Sequence, residues 1–169
     1  VEQASDAIFW IGSDAQILGV NKAACHLSDY SEEELLSMRV ADIDPDYQDD
    51  IWPAHWQELK EHGSLTFESR HKRKDGSIKP TEVNVNFLEF GGKEYNCAFT
   101  RDITERKRTE KALRQSEERL RLVLQNMPVM MDAIDSNWNI IIWNRECERV
   151  TGYSAQEIVG NPRAMELLY

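Results

Sequence analysis

Positive charge is in short supply in this chain. Lys and Arg number 20 against 30 Asp and Glu, for a formal charge of −10. Binding to nucleic acid is driven mainly by Lys and Arg neutralising phosphates, so the balance argues against a nucleic-acid partner and against a basic membrane-surface protein. No stretch approaches the roughly 18 apolar residues of a membrane span, and no apolar run with a small-residue cleavage site opens the chain. The expectation is a soluble, cytoplasmic segment without direct membrane contact, whose parent could still be anchored elsewhere. Cysteine is scarce too. Cys25, Cys97 and Cys147 are too few and too scattered for a disulfide scaffold or a zinc knuckle, and read as small buried hydrophobes in a reducing compartment. Recognisable enzyme chemistry is missing as well: there is no glycine-rich phosphate loop, no G-x-S-x-G elbow and no H-E-x-x-H pair. Asp44, Asp46, Asp49 and Asp50 lack the spaced Gly and terminal Glu of an EF-hand loop and read as a solvated acidic surface. No catalytic residue and no metal site is assigned.

What the chain does have is an internal repeat. "NKAACHLSDYSEEEL" begins at Asn21 and "NRECERVTGYSAQEI" begins 123 residues later at Asn144; Tyr30 and Tyr153, Ser31 and Ser154, and Glu34 and Glu157 keep the offset without a gap. Each frame starts helices. Asn is a good N-cap, accepting from a first-turn N–H, and S-x-x-E is the reciprocal capping box.

In the first copy, two apolar runs, Ile8 to Ile11 and Ile17 to Val20, flank a Gly-Ser-Asp turn and predict a hairpin. Helices follow at Asn21 and Ser31. Pro53 suits a first helical turn, so a further helix starts near Trp52 and ends before Gly63, with Trp52, Trp56 and Leu59 as its apolar face. Alternation then takes over, punctuated by Asp75-Gly76 and Gly91-Gly92, and predicts strands over 65–74, 78–90 and 93–101. Asp102 and Glu105 mark the start of a long helix. Within that helix Leu113, Leu120 and Met127 recur every seven residues, with Val123 and Leu124 nearby, while both signs of charge cover its flanks. A two-helix seam is expected there, interrupted at Ser116. The residues describe a small α+β domain feeding a charged helix.

The ordered set of N-x-A-A, Y-S-x-E-E-L, R-K-D-G between strands and R-D-I-T-E-R-K at the end resembles the PAS domain with its trailing PAC segment. The resemblance spans residues 1 to about 106, and 124–169 resembles the first half of a second copy. Domains are accordingly expected at 1–103, 104–123 (linker helix) and 124–169, within a segment of something longer. The family resemblance implies a five-stranded antiparallel sheet in the order 2-1-5-4-3 with helices on one face. It also implies a role in sensing and relaying, commonly through dimers, in sensor histidine kinases or, as the alternative output, diguanylate cyclases.

In this family a ligand sits between helices and sheet. Trp10, Leu27, Ile43, Trp52, Trp56, Phe67, Val83, Val85, Phe87 and Phe99 could line such a cavity or simply fill a core. Haem-binding members use a histidine on the helix before the third strand, which singles out His62 at the helix end and His55, read as part of a solvated face; haem is disfavoured. The flavin-reactive cysteine of photosensory members has no counterpart in "MRVADIDPDYQDD", and Cys97 lies elsewhere, so a covalent flavin is disfavoured more strongly. Any cofactor is an unknown small molecule. Asp102, Ile103 and Thr104 match the family's D-I-T signalling motif, with Arg73 or Lys74 expected as the cation facing Asp102. Leu113, Leu120, Val123, Leu124 and Met127 are expected to form a homodimer seam. Residues 124–169, with Trp138, Ile140, Ile142 and Trp143, are expected to be partly disordered or to need a partner surface, for want of later strands.

Overall fold

Strand alternation and helix caps place the elements of the structure, a computed structural model that describes residues 6–168. The chain divides into two compact units, residues 1–108 and 109–169. In the first, β1 (Ala7–Ile11) and β2 (Ile17–Val20) form the expected hairpin, followed by α1 (Lys22–Ser28), α2 (Glu32–Leu36), α3 (Val40–Ile43) and α4 (Trp52–His62). Then come β3 (Ser64–Lys72), β4 (Ile78–Phe90) and β5 (Lys93–Asp102), and α5 (Thr104–Asn126) begins one residue later and runs from the first unit into the second. The five strands form one antiparallel sheet in the order β2-β1-β5-β4-β3.

One face of the sheet is covered. Phe9, Ile11, Val83, Val85 and Ala98 point from the strands into a core shared with Leu27, Leu35, Ile43, Trp52, Trp56 and Leu59 of the helices. Trp52, Trp56 and Leu59 recur at spacings of four and three on α4, which is why one helix can seal the core while Pro53 takes its first turn. On the other face Trp10 meets Tyr95 edge to face, with ring centroids 6.1 Å apart.

The second unit contains β6 (Asp132–Ile134) and β7 (Ile140–Trp143), paired as a two-stranded sheet, then α6 (Arg145–Thr151), α7 (Ala155–Ile158) and α8 (Ala164–Leu168). Ile140 and Trp143, expected to need a partner surface, are instead buried inside this unit with Cys147, Ile158 and Ala164. Trp138 is exposed. It occupies a left-handed turn position, φ 64°, and Ala15, 123 residues earlier, has φ 66°.

The repeat is held by the same hydrogen bonds at the same offset. Asn21 Oδ1 accepts from Ala24 N at 2.9 Å and Ile8 N at 3.0 Å, and its Nδ2 donates to Asp6 O at 3.0 Å. Asn144 Oδ1 accepts from Cys147 N at 3.1 Å and Met131 N at 3.0 Å, and its Nδ2 donates to Val129 O at 2.8 Å. Each Asn therefore caps a helix and ties it to the segment entering the first strand. Ser28 and Thr151 likewise return a hydroxyl to the carbonyl four residues back, at 2.7 Å in both copies. Ser31 and Glu34 form the reciprocal capping box, and in the second copy Glu157 accepts from Ser154 N at 2.8 Å.

Asn21→Ala removes three bonds, two of them linking elements, and is expected to lower stability by about 2 kcal/mol, while Asn21→Asp, which keeps the acceptor, costs less. Urea unfolding followed by tryptophan fluorescence checks both; equal losses for the two variants would contradict the linking role.

Candidate functional site

The space between the helices and the sheet contains a cavity of about 50 Å³. Inward strand positions build its floor: Phe9 and Ile11 of β1, Phe67 and His71 of β3, Thr81, Val83 and Val85 of β4, and Asn96, Ala98 and Thr100 of β5. Val40, Ile43, Asp44, Tyr47, Trp52 and His55 close it from the helical side. Five of the ten expected lining residues, Ile43, Trp52, Phe67, Val83 and Val85, meet here. Leu27, Trp56 and Phe87 belong to the surrounding core without lining the cavity.

Trp10 and Phe99 do not belong to the site. Trp10 is 40% and Phe99 37% exposed on the opposite face of the sheet. The registers Phe9↔Ala98 and Trp10↔Cys97 show why: Phe9 and Ala98 turn inward, so their neighbours Trp10 and Phe99 must turn out.

Two further expectations are corrected by the polar lining. His55 is not on a solvated face; it is 5% exposed, and its ring packs on Tyr47, Trp52 and Phe67 at centroid separations of 4.8, 5.3 and 5.6 Å. Asp44 leaves the acidic surface, accepting from Ser69 Oγ at 2.7 Å and Asp46 N at 2.9 Å. Its neighbours remain outside and paired, Asp46 with Arg70 and Asp49 with Arg39. His62 is exposed, its Nδ1 2.9 Å from Glu58 O.

The interior disfavours charge. Burial raises the Asp44 carboxyl against the Ser69 hydrogen bond, lowers His55, and pushes the Tyr47 hydroxyl up to about 12. His71 is pushed down to about 4 by burial, helped by Lys79 and Arg73. His71 and Asn96, 4% and 1% exposed, were missed in the sequence because both are polar residues at inward positions. His71 Nε2 and both amide atoms of Asn96 have no protein hydrogen-bond partner.

The second part of the site is the strand-to-helix junction. Ile103, 3% exposed, is the single residue between β5 and α5, and its N–H donates to Pro80 O at 3.1 Å. Asp102 accepts from Thr104 N at 2.8 Å and from Lys79 Nζ at 2.7 Å. Burial pushes this carboxyl up, but the bonds from Lys79 and Thr104 outweigh it and hold it below its ordinary value. Lys79, and not Arg73 or Lys74, is thus the facing cation. The register Thr81↔Asp102 sets Lys79 diagonally across from Asp102, whereas the β3–β4 turn swings Arg73 to Asp29 and Leu27 O and Lys74 to Glu34. Arg106 and Lys107, which the sequence reads as solvated flanks of the helix seam, are instead paired with the sheet. Arg106 bridges Glu82 at 3.0 Å and Glu68 at 2.9 Å, and Lys107 also meets Glu68, so the first turn of α5 is pinned to the outer face of β3 and β4.

No side chain of α5 is buried, and Leu113, Leu120 and Val123 are 60%, 59% and 53% exposed. Leu124 and Met127 are half-buried.

Comparison with known proteins agrees with this architecture. The family described as PAS domain matches residues 5–105, and that described as PAS fold matches 118–168. The chain belongs to the PAS domain family. It is 33% identical over 111 residues, 64% of this chain and 11% of the relative, to the methyl sulfide methyltransferase-associated sensor of Methanosarcina acetivorans. To sporulation kinase E of Bacillus subtilis it is 26% identical over 159 residues, 93% of this chain and 21% of that kinase. The chain therefore spans about a tenth to a fifth of these relatives' lengths. The crystal structure of a PAS domain from a two-component sensor histidine kinase superposes with a TM-score of 0.51 at 36% identity, covering 57% of this chain and 84% of that one. Among the described residues no helix is long and apolar enough to cross a membrane.

His71 gives this site a pH signature. Its folded value, about 4 against an ordinary 6.5, means that the unfolded chain binds the proton more readily between those limits. Its contribution is fully present above about 6.5 and is lost as pH falls towards 4, amounting to on the order of 3 kcal/mol. Urea unfolding at pH 7 and pH 5 should show a smaller difference for His71→Phe than for the parent; an unchanged difference would contradict the buried neutral imidazole.

Proposed function

We propose that the chain is a sensory and relay module: a small molecule, a redox change or a partner alters the packing of the first unit, and α5 carries the change to an output domain. The observation that carries this reading is the junction at Ile103. With one buried residue between β5 and α5, a shift in the sheet reaches the helix without a flexible linker to absorb it. Asp102–Lys79 and the Arg106 bridge to Glu82 and Glu68 add two more points of attachment on different strands.

The relay is proposed to work in a homodimer, with α5 pairing with its copy through Leu113, Leu120, Val123, Leu124 and Met127. Seven-residue spacing combined with exposure of Leu113, Leu120 and Val123 supports this, since such a face is ordinarily covered by a second helix. The relatedness to sensor kinases favours a histidine kinase as the output, in a parent chain that acts in the cytoplasm. The enzyme activity would belong to that output domain.

A second reading, a ligand-free dimerisation and relay module, is favoured by the size of the cavity. About 50 Å³ is well below the roughly 300 Å³ at which ordinary small-molecule pockets begin, and supports neither haem nor flavin as the guest. Mass spectrometry of the native protein separates the two readings: a stoichiometric co-purified small molecule supports sensing, and its absence supports relay alone.

The junction and the seam make separate predictions. Ile103→Ala should cost about 3 kcal/mol and should speed amide exchange in the first turns of α5 more than in β1 and β2. Leu113→Glu with Leu120→Glu should shift sedimentation from dimer to monomer while circular dichroism of the first unit's sheet is kept; a double variant that still sediments as a dimer would exclude the seam.

A further inference from the structure

We propose that the cavity of the first unit is a binding site for a small uncharged primary amide or urea, held by paired hydrogen bonds with the Asn96 carboxamide. The proposal rests on the sensory reading and names the chemistry of its ligand. Asn96 is the reason for it. Its side chain is 1% exposed, lines the cavity, and has neither its Nδ2 donor nor its Oδ1 acceptor matched within the protein. Buried polar groups are nearly always paired, and two unmatched atoms on one side chain are an exception that needs a partner. Nothing in the strand requires an amide at this place. Asn96 stands between Ile11 of β1 and Phe87 of β4, where an aliphatic side chain would continue the inward row made by Ala98.

A carboxamide offers an N–H donor beside a C=O acceptor, and its natural complement is a second amide, which returns one hydrogen bond for each. The rest of the lining agrees on charge. Among the described residues that line the cavity there is no Lys or Arg to neutralise a carboxylate. The one carboxylate on this lining, Asp44, accepts from the neutral donors Ser69 Oγ and Asp46 N, which adds no positive charge to the cavity. An anionic guest would therefore be buried unpaired. Phe9, Trp52 and Phe67 provide aromatic walls, and His71 Nε2, also unmatched, provides one more polar contact on the same cavity. The volume of about 50 Å³ admits roughly four water-sized atoms, which is the scale of acetamide or urea. Asn96 also lies on β5, the strand that runs into α5, so a guest held there would act on the relay strand itself.

The test is a titration of the isotopically labelled chain with acetamide, with dilute urea, and with acetate as the charged isostere, following the backbone amide resonances of residues 95–98, which the parent chain and its variants share, and in the parent also the side-chain amide of Asn96. Saturable shifts with acetamide and urea are expected, with acetate at least about tenfold weaker because its carboxylate would be buried without a counter-ion. Asn96→Leu should abolish the acetamide response while retaining the fold by circular dichroism; should Asn96→Leu not fold, Asn96→Asp, which replaces the donor with a second oxygen, should weaken it. Equal responses to acetamide and acetate, no saturable response, or an undiminished response in a folded variant would each overturn the assignment. Mass spectrometry of the native protein separates this failure from failure of the sensory reading. A different co-purified molecule with no acetamide binding removes the amide alone, and the absence of either guest removes small-molecule sensing with it.

Discussion

The constraint on which the molecule depends is the absence of slack between β5 and α5. A strand at the centre of a sheet is fixed on both edges, here by β1 and β4, so its end cannot move unless the sheet does. Ile103 extends that fixity through the turn by burying its side chain and bonding its N–H to Pro80 O. Asp102 then starts the helix while its second oxygen holds Lys79 on β4. Exposed ion pairs are individually worth little, on the order of 0.5 kcal/mol. Arg106 and Lys107 nonetheless hold the first turn of α5 at two adjacent strands, because Glu68 lies on β3 and Glu82 on β4.

The repeat shows which parts of such a unit are indispensable to its entry. Asn21 and Asn144 make equivalent bonds, and the hydroxyls of Ser28 and Thr151 do the same work from different residues. Conformation persists even where residues differ. The left-handed end of α1 is Asp29, φ 62°, and the equivalent end of α6 is Gly152, φ 81°, where glycine avoids the side-chain cost of that geometry. The first copy goes on to extend its hairpin with three more strands, β5 pairing with β1, and covers one face with helices. The second covers Ile140 and Trp143 with its own short helices.

Most of the fold was legible because its signals are local. Caps, Pro53 and the paired turns each act within a few residues, and the element boundaries followed them closely. The candidate site was legible only in part, because a cavity depends on which side of a strand faces in. "AIFWI" is apolar throughout, so alternation could not separate Phe9 from Trp10, and Phe99 was misplaced for the same reason. His71, Asn96 and Thr100 escaped notice because alternation treats polar residues as outward. The cation facing Asp102 was misassigned because pairing across strands is set by register, which composition does not encode.

On the proposed relay, the interior of the first unit and the start of α5 move together. Val85 lines the cavity on β4, away from the junction, and Val85→Leu would perturb the interior without touching Ile103, Asp102 or Arg106. Site-resolved amide hydrogen exchange of residues 104–112, compared between the parent chain and Val85→Leu at matched global stability, is the most direct measurement. Coupling predicts altered protection in those turns of α5; protection unchanged there, with change confined to β3, β4 and α4, would contradict it.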